Sequence, residues 1–192
     1  MASRMVIALV GLGPAALPHL RSLQDLHDRI ELRYAFARDP RVDRIQPYTG
    51  PVRLTDSLEL ILQDHEVQAV IVATPPSTHL EICERCFAAG KHVLLEKPIE
   101  LNFERATRLL ELATQAGLQL GVVLQHRFRQ ASQVLQKLLM DGRLGEVQAA
   151  SVQVPWWRSQ AYYNEPGRGT FARDGSGVLL TQAIHTLDLF RA

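Results

Sequence analysis

Short apolar runs alternate with amphipathic stretches through the first two thirds of the chain. Met5–Val10 (MVIALV) has the length and composition of a buried strand. GLGP follows, and from Ala15 to about Leu26 apolar residues recur at helical spacing, so the opening reads strand, tight turn, helix. Glu31–Ala37 predicts a second strand. Arg38–Tyr48 is charged and broken by Pro40 and Pro47. Val52–Leu54 fits a short strand, and Thr55 or Asp56 is placed to cap a helix over Ser57–Gln63. Gln68–Thr74 (QAVIVAT) predicts a buried strand ended by Pro75-Pro76. Thr78 followed by Glu81 has the spacing of a capping box, for a helix that runs to Ala89 and stops at Gly90. His92–Leu95 is a further strand, closed by Glu96-Lys97-Pro98. Asn102 caps a helix to about Ala116, Gly117 ends it, and Leu118–Leu124 is a sixth apolar strand. Such alternation predicts an α/β fold, a doubly wound parallel sheet with helices on both faces and right-handed crossovers.

The pattern changes after Leu124. Ala131–Met140 predicts a helix, Asp141-Gly142 a turn, and Glu146–Val154 (EVQAASVQV) a strand in a different sheet. A polar, aromatic, glycine-rich segment runs from Trp156 to Gly177, and Val178–Arg191 returns to helical spacing. We therefore expect one domain over residues 1–124 and part of a second over 125–192. An apolar helix at the end of so short a segment has few elements to pack against, so a fragment of a longer protein is expected.

Composition narrows the classes. With 192 residues, 46% of them hydrophobic, the chain is long enough for a sizeable core. Lys+Arg number 21 against 20 Asp+Glu, a net charge of +1, which leaves no excess of cations to track nucleic-acid phosphates or a membrane surface. No apolar run reaches the roughly 18–20 residues of a membrane span. The opening MASRMVIALVGLG has the Arg and apolar run of a leader, but it ends in a glycine motif with no small-residue cleavage pattern. Two cysteines make no disulfide framework, and a reducing cytoplasm is the natural compartment.

Three motifs point to chemistry. Gly11-Leu12-Gly13-Pro14-Ala15-Ala16 is a G-x-G-x-x-A pattern between a strand and a helix. Gly11 permits the tight turn, Gly13 lets the backbone approach a pyrophosphate, and Ala16 allows close helix–strand packing. Dinucleotide binding follows, with Gly11 to Ala15 as contacts. The second strand ends Phe36-Ala37-Arg38-Asp39. The absence of an acid at Ala37, with Arg38 next, favours the 2′-phosphate of NADP, while Asp39 leaves NAD open. Thr74 ends the fourth strand, Pro75, Pro76 and His79 follow it, and Glu96-Lys97-Pro98 follows the fifth; ligands of open α/β sheets bind outside such strand ends. Thr74 to Pro76, His79, Glu96 and Lys97 are accordingly nucleotide-contact candidates. On the last helix Thr181, His185 and Asp188 share one face, with Gln182 at its edge; Asp188 can instead pair with Arg191.

Cys83-Glu84-Arg85-Cys86 lies mid-helix without a second ligand pair, so core packing is expected and no metal. Trp156, Trp157, Arg158, Tyr162, Tyr163, Arg168 and Thr170 form an aromatic and arginine segment. Such residues stack on sugar faces and grip anions, or serve as a surface loop or oligomer contact.

Taken together, GLGPAALPHL, ATPPSTHLEICERCFAAGKHVLLEKPIE, QHRF and DGSGVLLTQAIHTLDLF resemble the Gfo/Idh/MocA oxidoreductases across nearly the whole chain. The resemblance implies a Rossmann domain, then an α/β domain with a mostly antiparallel sheet that carries substrate contacts and often an oligomer interface. It implies an NAD(P)-dependent dehydrogenase acting on a small sugar-like substrate, in a homo-oligomer. It makes Lys97 and His185 the catalytic pair and adds Gln125 and Arg127 as nucleotide contacts. Thr181 stands where many members have Asp, and His126 where many have Asn. Gln182, the Tyr162-Tyr163 pair and Arg168-Gly169-Thr170 resemble members acting on nucleotide sugars and uronates. The implied substrate contacts are Lys97, Arg158, Tyr163, Arg168, Thr181, Gln182 and His185. A dinucleotide-sensing regulator, an oxidative glycosidase and a structural oligomer module are alternatives on the same fold.

Overall fold

In the computed structural model Met5–Val10 forms strand β1 at the centre of a six-stranded sheet in which every pair is parallel. The structure describes residues 4–175 and 177–192. The first three residues of the stretch weighed as a leader, and Ser176 of the glycine-rich segment, lie outside them.

The remaining strands are β2 (Ile30–Phe36), β3 (Arg53–Thr55), β4 (Ala69–Val72), β5 (His92–Leu95) and β6 (Leu120–Val122). Their order is β3-β2-β1-β4-β5-β6, so the winding reverses between β1 and β4. A crevice opens at such a reversal, beyond the carboxyl ends of the strands. Parallel neighbours need crossovers: α1 (Ala16–Asp25) joins β1 to β2, a 3₁₀ turn (Val42–Ile45) lies between β2 and β3, α2 (Leu58–Gln63) leads from the edge strand β3 back to β4, and α3 (His79–Ala88) and α4 (Phe103–Ala116) join β4 to β5 and β5 to β6.

The two-residue period of β1 divides the core. Ile7 and Leu9 pack with Ala16, Leu20 and Leu23 of α1. Ala8 and Val10 face the opposite layer, with Cys83 and Phe87 of α3 and Leu109 of α4. Burial on both faces explains why the strands read as continuous apolar runs rather than alternations.

Local chemistry sets both ends of α4. Asn102 Oδ1 accepts the Arg105 amide at 3.0 Å, and Gly117 ends α4 with φ 66°. The capping box read at Thr78 and Glu81 does not form. The Thr78 hydroxyl instead donates 2.8 Å to the Pro75 carbonyl, within a 3₁₀ turn over Pro76–Thr78. The Leu80 amide donates to Glu100 Oε1 at 3.0 Å, and Glu81 pairs with Arg105. The fixed φ of Pro75 and Pro76 sets this tighter entry.

Residues from Val123 onward form a second compact unit. It contains a 3₁₀ turn (Gln125–Phe128), α5 (Gln130–Met140), α6 (Gln160–Tyr163) and α7 (Phe171–Asp174). A π-helical turn (Leu179–Ala183) then leads directly into α8 (Ile184–Arg191). The strand expected over Glu146–Val154 is absent; the segment is irregular. A strand exists only through a ladder with a neighbour, and among the described residues none runs beside it. Val147 within it is 56% exposed. No helix among the described residues is long and apolar enough to cross a membrane.

Candidate functional site

In the first unit the glycine turn follows β1 at the winding reversal. The Gly11 amide donates to the Phe36 carbonyl at 2.9 Å. Its φ is 99°, and a Cβ there would lie 2.7 Å from Ala73 backbone atoms. Both geometry and space therefore require glycine. Gly13 differs: a Cβ would meet no heavy atom within 4 Å. The fold leaves this backbone uncovered, as a diphosphate cradle requires. Leu12 points its side chain into the core, and Ala15, the residue before α1, provides no side-chain cap. The first amides of α1 have no side-chain acceptor there, the condition for anion binding at a helix start.

Thr74 borders the turn, its methyl 2.9 Å from a Cβ placed on Gly11. Pro75 and Pro76 carry the chain from β4 into the 3₁₀ turn. Ala37 is buried at the end of β2, and Arg38 and Asp39 follow as exposed side chains. Asp39 lies 3.9 Å from Arg44.

His79, expected at the nucleotide, is wholly buried. Nε2 lies 3.0 Å from the Thr74 carbonyl and Nδ1 3.3 Å from that of Ile99, and burial pushes the imidazole below its usual pKa. It has no surface for a ligand and instead ties the loop after β4 to the loop after β5. Glu96 also has protein partners. Its Oε1 is 2.9 Å from His19 Nε2, and its Oε2 accepts the Lys97 amide at 3.1 Å. Lys97 is half-buried just past β5, before a cis bond to Pro98. Sequence reasoning missed His19. The available signal was its place beside the buried stripe Ala16–Leu20–Leu23, one turn after the glycines.

The second unit gathers a different set. The rings of His126 and His185 lie 4.9 Å apart at 31°, and Trp156 meets His126 edge-on at 6.3 Å. Burial, then Arg129, pushes His126 below the usual imidazole pKa. Gln182 and His185 are both buried, and Gln182 Nε2 is 3.4 Å from Tyr163 Oη, so Gln182 belongs to the inward face rather than its edge. The Thr181 hydroxyl donates to the Gly177 carbonyl at 3.1 Å.

Gln125 is exposed. Arg127, expected at the nucleotide, directs Nε and Nη2 to the two oxygens of Asp188 at 2.5 Å each. That fork joins the 3₁₀ turn to α8, and Asp188 pairs there rather than with Arg191. Arg158 and Arg168 lie 5.5 and 4.4 Å from the Tyr162 ring, and Arg168 is also paired with Glu165.

Residues 5–124 match the model of an oxidoreductase family with an NAD-binding Rossmann fold. The chain belongs to the Gfo/Idh/MocA family. Residues 132–192 match the C-terminal domain of Gfo/Idh/MocA proteins. An uncharacterized oxidoreductase of Synechocystis is 33% identical over 96% of this chain and 50% of its own length. Myo-inositol 2-dehydrogenase of Thermotoga maritima is 26% identical over 97% and 54%. Among solved structures, the WlbA dehydrogenase of Bordetella pertussis, in complex with NADH and UDP-GlcNAcA, superposes with a TM-score of 0.90 at 30% identity. It covers 99% of this chain and 55% of the WlbA chain. The chain spans about half the length of the curated relatives it matches.

Cys83 and Cys86 stand apart from this Gfo/Idh/MocA machinery. Both are fully buried; burial raises the Cys83 thiol and pushes Cys86 up to about 12. Burial thus disfavours the reactive thiolate at both positions. In the folded chain at pH 8 we expect neither to react with a thiol reagent within minutes, and both to react after unfolding. Rapid labelling of native protein would contradict that burial.

Proposed function

We propose that this chain carries the dinucleotide site and part of the substrate site of an NAD(P)-dependent dehydrogenase acting on a secondary hydroxyl or ketone of a sugar, sugar acid or nucleotide sugar. The observation that carries the reading is the uncovered Gly13 backbone at the winding reversal, beside a start of α1 without a side-chain cap. A phosphate-bearing ligand fits there, and the family match supplies its class. Gly11 to Ala15 would hold the pyrophosphate, with Thr74 to Pro76 bordering it. Bound nicotinamide supplies a hydride acceptor or donor at ring carbon C4.

The protein supplies the proton chemistry. On this reading His185 would take the proton of the substrate hydroxyl, and Lys97 would donate a hydrogen bond to the substrate oxygen and stabilise its developing negative charge. An ordinary imidazole is mostly neutral at pH 7 and an ordinary ammonium almost wholly protonated, which assigns base and donor in that order. Gln182 and Tyr163 support a substrate-side role beside His185. Arg158 and Arg168 are cations suited to a sugar acid or its nucleotide diphosphate. That WlbA was crystallised with a nucleotide sugar acid supports the same class.

For the cofactor we infer NADP over NAD. Arg38 is exposed directly after β2, and buried Ala37 offers no carboxylate to a ribose hydroxyl. Titration of NADPH and NADH, read by nicotinamide fluorescence, should show tighter NADPH binding. Arg38→Ala should weaken NADPH about tenfold and NADH little, the loss of one charge-assisted contact. Tighter NADH binding in the parent chain would reject this and point to Asp39. Absence of binding to either would reject the dinucleotide site itself.

A further inference from the structure

Glu96 leaves only 13% of its side chain exposed, and a carboxylate so withdrawn from water needs donors. It has two on opposite oxygens. His19, 11% exposed, faces Oε1 at 2.9 Å, and the backbone amide of Lys97 donates to Oε2 at 3.1 Å. An ionised carboxylate has no proton to give, so His19 Nε2–H is the donor. His19 lies in the first turn of α1, the helix that begins on the glycine turn. One carboxylate therefore joins the helix next to the diphosphate cradle to the peptide that carries Lys97.

We propose that His19 is a positioning residue for Lys97, acting through Glu96. The inference rests on the assignment of Lys97 to the substrate oxygen. Without the His19 donor, Oε1 has lost its partner while remaining largely out of water. The carboxylate then turns to seek water or a cation, and Oε2 leaves the Lys97 amide. The backbone at the end of β5 loses the bond that fixes it, and the ammonium no longer meets its target at one distance. A displacement of this size acts on the chemical step more than on binding, because only well-placed donors stabilise the transition state.

The test combines local and kinetic readouts. Hydrogen exchange of the Lys97 amide is measured by NMR on this chain. Turnover and dinucleotide affinity are measured on the full protein, for His19→Leu, His19→Gln, Glu96→Gln, the His19→Leu/Glu96→Gln double variant and Lys97→Met. His19→Leu should exchange the Lys97 amide at least tenfold faster and lower kcat about tenfold, with the NADPH Kd within twofold of the parent. Gln can donate from a nearby position, so His19→Gln should return both readouts to within about threefold. The double variant should be no slower than His19→Leu, since both changes break one linkage.

Unchanged exchange and kcat in His19→Leu would overturn the inference, as would a His19→Gln variant as defective as His19→Leu. If His19→Leu does not fold, His19→Gln against Glu96→Gln decides: parental rates in both overturn it. The two readings fail differently. Parental turnover in Lys97→Met rejects the proposed function and this inference with it. Loss of turnover in Lys97→Met with none in His19→Leu rejects this inference alone.

Discussion

Lys97→Met and His185→Gln are each expected to lower kcat by about 10²–10⁴-fold on a sugar substrate, the range for removing a placed acid, base or charge-stabilising donor. Methionine keeps the unbranched stem of the lysine and removes only the ammonium, so a loss reports the charge and its hydrogen bonds. Glutamine retains donor and acceptor atoms at His185 but cannot hold a transferred proton. The two variants should differ in pH profile. Removing a base abolishes the fall in kcat/KM on its acidic side, whereas removing a donor lowers the whole profile. Nicotinamide absorbance gives the rates, and fluorescence titration verifies that the cofactor still binds. Turnover near the parental value in either variant would remove that residue from the mechanism.

The second large effect separates two glycines that a motif treats alike. Gly11→Ala forces a side chain into a left-handed conformation and drives its Cβ to 2.7 Å from Ala73 backbone, which cannot withdraw without disturbing β4. A loss of about 3 kcal/mol is expected, lowering Tm by about 6–12 °C. Gly13→Ala adds a methyl into space empty of protein, so its stability should stay within about 0.5 kcal/mol of the parent. Its dinucleotide Kd should rise at least tenfold, because that methyl occupies the approach to the diphosphate. Thermal denaturation and NADPH titration of the pair suffice. A Gly13→Ala variant that binds normally would move the cradle elsewhere; a Gly11→Ala variant of parental stability would refute the packing at β4.

The first unit was legible because its apolar strand runs, its glycine turn and the ends of α4 are written in neighbouring residues. Val10, Gly11 and Gly13 announce their roles through neighbours in sequence, and Asn102 and Gly117 end α4 by short-range bonds. What the sequence does not show is a distant partner. His79 and Glu96 also bond within the protein, to groups 20 and 77 positions away, at Ile99 and His19. Arg127 reaches 61 positions to Asp188. The strand expected at Glu146–Val154 failed for the same reason, since composition sets willingness to pair while a ladder needs a neighbour. On the last helix, helical spacing found Gln182, His185 and Asp188 but missed a change of pitch just before them.

That change of pitch at Leu179–Ala183 accommodates an additional residue in its turn. Deleting one residue there would rotate the imidazole downstream by about 100° and swing it off the interior face. The histidine's aim is thus encoded in a length rather than in a side chain. A change of length in this short stretch would redirect His185 while keeping every residue of the motif.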